Sequence, residues 1–420
     1  MPGRRTESLL PAMATPQNAV AAMLDRLTPL ATERCRVDQA AGRVLGEPVL
    51  ADRDSPAADV SAMDGYAVRH AELAKASAAG DALPLAYEVE TGGLPPALPT
   101  GHAARIFTGG VVPDGADTVV RREDTAESPE SVRWTADAPP RLGANIRRRG
   151  ENAANGDILV PAGRRIGAAE MAAICSTGVA ELSVIRAVRI AIVTTGDEVN
   201  PTGQDATGPD ASARPLNSNG PMLTALLSQP AWCDVVSTTH ARDDADATAD
   251  AIAHAATIAD AVLTTGGVSM GDHDHVPAAL LRLGAEVIYH HLAMRPGKPN
   301  LGAILPKGVP AVALPGNPLS VAVGAVVLAG PLVRQLAGIT HLTRRPVVHT
   351  GYTLDAKPAR PLKLWHYPLA NLDEAGAAIG VPSHGSGDVP SLGRSDGFVE
   401  LSPGQTLDNI RAPWFGWTIE

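Results

Sequence analysis

Between about Val188 and Gly338 one theme recurs three times: an apolar run of strand length, a glycine-rich loop, then a stretch of helical periodicity. Arg189 to Thr194 leads into Thr195-Gly-Asp-Glu198, Ala261 to Thr265 into Gly266-Gly-Val-Ser-Met-Gly-Asp272, and Val309 to Leu314 into Pro315-Gly-Asn-Pro318. Strands that alternate with helices pair in parallel beneath helices on both faces. A doubly wound α/β sheet is therefore expected, with all three loops at its carboxyl edge, where ligands of such sheets bind.

The whole chain has 420 residues, more than one hydrophobic core usually serves, so further domains are expected around this sheet. Residues 15–52 together with 148–186 read as a mixed α/β segment: Thr15 can cap a helix with Pro16 at its first position, and Val20, Met23, Leu24 and Leu27 recur at helical spacing. Residues 53–147 break into short apolar runs between Gly and Pro and read as a small β-rich domain. Residues 187–338 hold the α/β domain, and 339–420 read as a final β-barrel-like domain. The fold class expected is thus multidomain α/β plus β.

A formal charge of -10 provides no global field for nucleic acid or an anionic membrane, so any anionic ligand must be held by local positive groups. Cys35, Cys175 and Cys233 form neither a disulfide pattern nor a C-x-x-C pair, and Cys175 and Cys233 read as structural. Met1 to Leu10 carries Arg4 and Arg5 without the apolar run of a signal peptide, and Leu319 to Leu328 is shorter than a membrane span and reads as a buried helix. The expectation is a cytoplasmic protein with no membrane or nucleic-acid partner.

Neither a dinucleotide fingerprint nor a phosphate loop is present; Gly266 to Gly271 has phosphate-loop spacing, but Asp272 follows where Lys belongs. The loops offer instead backbone N–H groups at Gly266, Gly267, Ser269, Gly271, Gly316 and Asn317, beside the carboxylates of Asp197, Glu198, Asp272 and Asp274. Backbone nests take up phosphate-like anions, whereas bare carboxylates repel them unless a hard cation lies between. A Mg²⁺-bridged phosphate ester or phosphoanhydride fits that combination. The alternative, that glycines only close βα turns and acids only cap helices, applies to any one loop; three on one sheet edge favour a ligand. Positive charge is local, in Arg147-Arg-Arg149 and in Arg295-Pro-Gly-Lys298, and three consecutive arginines cannot all face one ligand.

Six ordered strings cover nearly the whole chain: Ser61-Ala-Met-Asp-Gly-Tyr-Ala-Val-Arg69, Arg105-Ile-Phe-Thr-Gly-Gly110 with Pro113-Asp-Gly-Ala-Asp117, Asn145-Ile-Arg-Arg-Arg-Gly-Glu151, and the three sheet-edge loops. Together they resemble the MoeA/gephyrin-type molybdopterin molybdenumtransferases, the molybdenum insertases. The resemblance implies a MogA-like α/β domain, an elongated homodimer joined through the mixed segment, and a pocket completed by the second domain of the partner. It also implies that adenylylated molybdopterin, supplied by a molybdopterin adenylyltransferase, is cleaved with molybdate and Mg²⁺ to release AMP.

Carried over by position, Asp64 and Thr108 fall on positions contributed across the dimer, and Glu198, Asp243 and Asp274 on functional acidic positions, with Glu198 and Asp274 as metal ligands. Arg147, Gly266, Gly267, Ser269, Gly271, Asp272, His291, Arg295, Lys298, Pro315, Gly316, Asn317, Pro318 and Arg360 are the implied substrate-binding positions. This chain departs from the usual pattern at Asn152, where many members have Asp, and at Arg295 and His291, where Lys is common. His273 and His275 are too few ligands for a zinc site and read as the aromatic positions of that loop. Two other functions compete on this fold: a non-catalytic scaffold, as gephyrin also is, and a pterin- or nucleotide-handling hydrolase. Retained Glu198, Asp274 and the Arg pair argue against the first, and the string around Asp64 against the second.

Overall fold

The computed structural model describes residues 13–136, 138–176, 178–199, 215–269, 274–340, 345–351, 361–405 and 408–419. By contacts the chain forms two compact units, one of Met1–Glu47, Ala162–Met171 and Glu181–Glu420, the other of Pro48–Pro161 and Ala172–Ala180.

The larger unit is built on a six-stranded sheet of β1 (Val188–Thr195), β2 (Cys233–Ala241), β3 (Ala261–Thr265), β4 (Glu286–His290), β5 (Leu301–Leu305) and β6 (Val309–Leu314), in the order β2-β1-β3-β6-β5-β4. The first four in that order are parallel, as expected, but at the edge β5 runs antiparallel to both of its neighbours, β6 and β4. A hairpin rather than a crossover helix joins those two strands, and its loop, 291–300, is the basic segment around Arg295 and Lys298.

Side-chain alternation divides the core. Ile190 and Ile192 of β1 pack beneath Pro16–Leu24, Asn219–Leu227 and the run Pro318–Leu336, whereas Ala191 and Val193 face Ala245–Ile258 and Val276–Arg282. Each such Ile or Val, fully buried, stabilises the unit by about 1.5–3 kcal/mol. The first helix starts as its sequence demands, with Thr15 Oγ1 accepting the Asn18 N–H at 3.2 Å and Pro16 at the position that needs no donor. Pro318–Leu336 is long and apolar enough to cross a membrane, but it lies inside this core. Its middle, Ala325–Ala329, widens into a π turn just before Pro331, whose ring cannot donate to the Val327 carbonyl and crowds it.

In the same unit Thr32–Arg36, Glu181–Ile185 and Val44–Leu45 form a three-stranded sheet, and a closed barrel follows from Val347–Gly351, Ala378–Gly380, Leu369–Leu372, Gly397–Val399 and Asp408–Gly416. The barrel bears out the expected C-terminal domain. The stretch 361–368 is not one of its strands: there only Trp365–His366 is a strand, and it pairs in parallel with Met294–Arg295 of the basic loop. Pro368 has no N–H to donate, so the ladder is interrupted there and resumes at Leu369, with the Pro368 carbonyl still accepting the Val399 N–H at 3.2 Å.

The smaller unit carries a six-stranded sheet ordered Thr118–Arg121, Gly65–Val68, Ala103–Ile106, Leu83–Val89, Ser131–Trp134, Thr125–Glu127. Gly65 has no alternative: a Cβ there would lie 1.8 Å from the Val120 carbonyl oxygen.

Candidate functional site

The three sheet-edge loops meet backbone to backbone. Gly266 has φ +89°, and a Cβ on it would lie 2.7 Å from Thr195 Oγ1 and 2.9 Å from the Thr195 carbonyl oxygen. Gly316 lies against the other side, its Cβ position 3.8 Å from Gly266 Cα. The Gly266 N–H donates to the Leu314 carbonyl at 3.1 Å, so this donor is spent on joining β3 to β6 rather than turned to a ligand. The Gly267 carbonyl accepts the Val276 N–H at 3.1 Å, and Asn219 Nδ2 donates to the Gly316 carbonyl at 2.8 Å. Ser269 is exposed, while Gly271, Asp272 and His273 lie outside the described residues.

Acidic groups crowd the same edge. The Asp197 N–H donates to Asp243 Oδ2 at 3.0 Å and the Asp243 N–H to Asp197 Oδ1 at 3.2 Å, a reciprocal tie between the loops after β1 and β2. Glu198 is exposed, its carboxylate folded over Gly196. Asp274 precedes the helix Val276–Arg282, whose N-cap is His275. Among the described residues no group of three or more His, Cys, Asp or Glu side chains is gathered to hold a metal. Glu198 and Asp274 stand in loops after neighbouring strands, however, and two hard carboxylates plus substrate oxygens are the donor set that Mg²⁺ prefers.

A second feature of this unit is a cleft of about 720 Å³ between the basic loop, the start of the Pro318–Leu336 helix and the barrel. Arg295, Lys298, Pro315 and Asn317 line it, as the sequence reading placed them at a ligand. His366, Tyr367, Ser383 and Ser386 also line it, and that reading did not name them. Their signal was the string Pro382-Ser-His-Gly-Ser386, which offers hydroxyls on a glycine-containing turn, the commonest way to approach an anion without charge. Among the described residues no carboxylate lines the cleft. His291 is not in its wall: it packs beside His290, with ring centroids 4.2 Å apart, and burial, His290 and Lys298 hold its pKa below the ordinary value. Arg360 lies outside the described residues.

The basic loop owes its shape to Asn300. That side chain is fully buried, and its amide donates to the Gly297 carbonyl, closing the turn of the loop whose Arg295 and Lys298 both line the cleft. The pairing with Trp365–His366 fixes the other flank, with the Tyr367 N–H donating to the Arg295 carbonyl at 2.9 Å.

In the smaller unit two of the quoted strings are zipped together. The Ser61 N–H donates to the Gly110 carbonyl and the Gly109 N–H to the Ser61 carbonyl, both at 2.8 Å. This places Asp64 on Thr108, whose N–H and hydroxyl both donate to Asp64 Oδ1 at 2.8 Å. Those two hydrogen bonds, with Arg122 and Arg105 nearby, hold the Asp64 carboxyl below the ordinary range, so it is ionised and aimed. The arginine run is answered residue by residue: Arg147 by Glu151 at 2.7 Å, Arg148 by Asp59 and Arg149 by Asp54, both at 2.5 Å. Arg147 also donates to Asn152 Oδ1 at 2.5 Å, so Asn keeps the acceptor that Asp would supply while leaving the guanidinium less neutralised.

Known proteins match this arrangement over most of its length. The family model described as "MoeA N-terminal region (domain I and II)" matches residues 14–178, and that described as "Probable molybdopterin binding domain" matches 191–335. A molybdopterin molybdenumtransferase of Nostoc sp. is 34% identical over 379 residues, covering 87% of this chain and 84% of its own. One of Synechococcus elongatus is 37% identical over 311 residues, covering 73% of this chain and 75% of its own. Among solved structures, the molybdopterin biosynthesis MoeA protein of Pyrococcus horikosii superposes with a TM-score of 0.78 at 25% identity, over 97% of this chain and 99% of that one.

Proposed function

Because the chain belongs to the molybdopterin molybdenumtransferase family, and so is a transferase of molybdenum cofactor biosynthesis that inserts molybdenum into molybdopterin, we propose that its oxyanion substrate enters the cleft at Arg295 and Lys298. The observation that carries this reading is the lining: two cations, three serines and, among the described residues, no carboxylate, in a chain whose net charge is -10. Arg295 presents a planar fork of donors and Lys298 a point charge, which together hold a tetrahedral dianion in one orientation.

The organic substrate is adenylylated molybdopterin, handed over by a molybdopterin adenylyltransferase, and it lies along the Thr195, Gly266 and Gly316 edge. There Glu198 and Asp274 would hold Mg²⁺ against the phosphoanhydride. A divalent cation held by those two carboxylates would supply neutralisation of the charge that develops on the departing AMP. Asp243 keeps the loop of Glu198 in register through Asp197. Asp64 and Thr108 reach this pocket from the partner subunit of a symmetric homodimer, as does Arg147, and each pocket then needs both chains. The reaction takes place in the cytoplasm, where the buried free thiols Cys35 and Cys233 stay reduced.

The test is AMP release from adenylylated molybdopterin with Mg²⁺, titrated with molybdate. Saturable, molybdate-dependent release is expected, with Arg295→Ala raising the half-saturating molybdate by tenfold or more, about the 1.5–3 kcal/mol of a charge-assisted hydrogen bond. Release that is independent of molybdate, or a half-saturation unmoved in Arg295→Ala, contradicts the reading.

A further inference from the structure

His366 stands in the wall of the cleft with its backbone locked on both sides. It is the strand partner of Arg295, and it exchanges two hydrogen bonds with Leu401, at 2.9 and 2.8 Å. Its imidazole is largely buried and hydrogen-bonds the Arg295 backbone. The basic loop brings Arg295 and Lys298 to the same wall, and its own strand brings Tyr367. Behind it, Glu400 is turned away: its carboxylate accepts the Tyr367 hydroxyl at 3.1 Å and Gln17 Nε2 at 3.1 Å, with Arg345 the nearby cation. From the remaining wall, Ser383 and Ser386 contribute hydroxyls, while His384 is exposed and paired with Asp388 at 3.4 Å. Among the described residues, His366 thus shares the cleft with cations and no carboxylate.

We propose that His366 makes occupancy of the cleft proton-linked, the imidazole taking up a proton when an oxyanion binds and becoming its third positive contact. The proposal rests on the reading that this cleft takes the oxyanion. The balance is simple: one proton passes from solvent to an imidazole nitrogen, and no covalent bond to the anion is made. In the empty cleft, burial and the neighbouring Arg295 push the His366 pKa down to about 4, so the ring is neutral near pH 7. A dianion between His366, Arg295 and Lys298 supplies the missing counter-charge and raises that value. Since the bound state holds more protons, affinity is greatest at low pH and falls as pH rises, by up to tenfold per pH unit for one linked proton, until it levels off above the pKa of the bound state.

The experiment is calorimetric titration of the full chain with molybdate alone, from pH 6 to 8, in buffers of different ionisation enthalpy, which counts protons taken up per anion. Uptake is expected in the starting protein, together with weaker binding at pH 8 than at pH 6. His366→Gln should bind more weakly at pH 6 with no uptake, and His366→Arg should bind with an affinity flat in pH. Uptake that persists in Glu400→Gln and His291→Gln assigns it to neither of those groups. If Arg295→Ala weakens binding but uptake is absent, or is equal in His366→Gln, the cleft reading stands and the proton linkage is overturned. If molybdate binds equally well to Arg295→Ala and Lys298→Ala, the cleft reading falls and the linkage with it.

Discussion

Gly266→Ala tests whether the sheet-edge loops are held as a close-packed backbone junction. Two costs add at this position. A left-handed φ of +89° costs an L-residue about 1–2 kcal/mol. A Cβ at 2.7 Å from a hydroxyl and 2.9 Å from a main-chain carbonyl of Thr195 forces a shift that overpacked sites put at about 1–3 kcal/mol. The sum is about 2–5 kcal/mol, set against a neighbouring control: Gly316→Ala meets nothing nearer than 3.8 Å and has no positive φ, so it should cost under about 1 kcal/mol. Urea unfolding of the larger unit, followed by fluorescence, reads both, and the double variant with Thr195→Ala should recover only part of the loss because the carbonyl contact remains. Equal midpoints for Gly266→Ala and Gly316→Ala would refute the junction.

Other perturbations have equally definite outcomes. Burial alone would raise the Asp260 pKa, but Arg186 at 2.6 and 2.7 Å and Arg189 outweigh it and bring the value down to about 2. A carboxyl depressed in the folded state stabilises above its unfolded value and loses that contribution as pH falls through the folded one. Asp260→Asn should therefore cost about 2 kcal/mol at neutral pH, a difference that vanishes as pH falls from about 4 to about 2; a difference that persists at pH 2 sinks the assignment. Cys175 is exposed, contrary to its reading as structural, whereas Cys35 and Cys233 are buried and burial pushes the Cys233 thiol up to about 12. A thiol reagent should thus modify one cysteine in the native chain and all three in denaturant; fast native reaction of two or more would contradict this burial. Glu198→Gln and Asp274→Asn should each raise the Mg²⁺ concentration for half-maximal AMP release while leaving the melting temperature nearly unchanged, and an unmoved Mg²⁺ dependence removes that residue from the site.

Period and punctuation made the parallel core legible: β1, β3 and β6 are apolar runs that stop at glycine, and their loops do meet. The antiparallel edge was not legible, because Glu286–His290 and Leu301–Leu305 are short apolar runs whose direction is decided by the hairpin between them, not by anything within either strand. In the site, charge and spacing singled out Arg295 and Lys298, since cations beside Pro and Gly stand out in an acidic chain. His366 carried no such mark. Its importance comes from a two-residue parallel pairing with Met294–Arg295 across a sequence separation of about seventy residues, a tertiary event that no local pattern announces. The arginine run shows the opposite limit: spacing alone could not say which of Arg147, Arg148 and Arg149 turns to a ligand, and their acidic partners Glu151, Asp59 and Asp54 come partly from a distant turn.

The most direct test of the account is to locate the oxyanion itself. Crystals of the protein soaked in tungstate, a heavy tetrahedral stand-in for molybdate, would reveal it by its anomalous scattering. The account predicts an anomalous peak in the cleft within hydrogen-bonding reach of Arg295, Lys298 and His366, lost in crystals of Arg295→Ala. A fully occupied peak at the Gly266 and Gly316 edge instead, with the cleft empty, would contradict it.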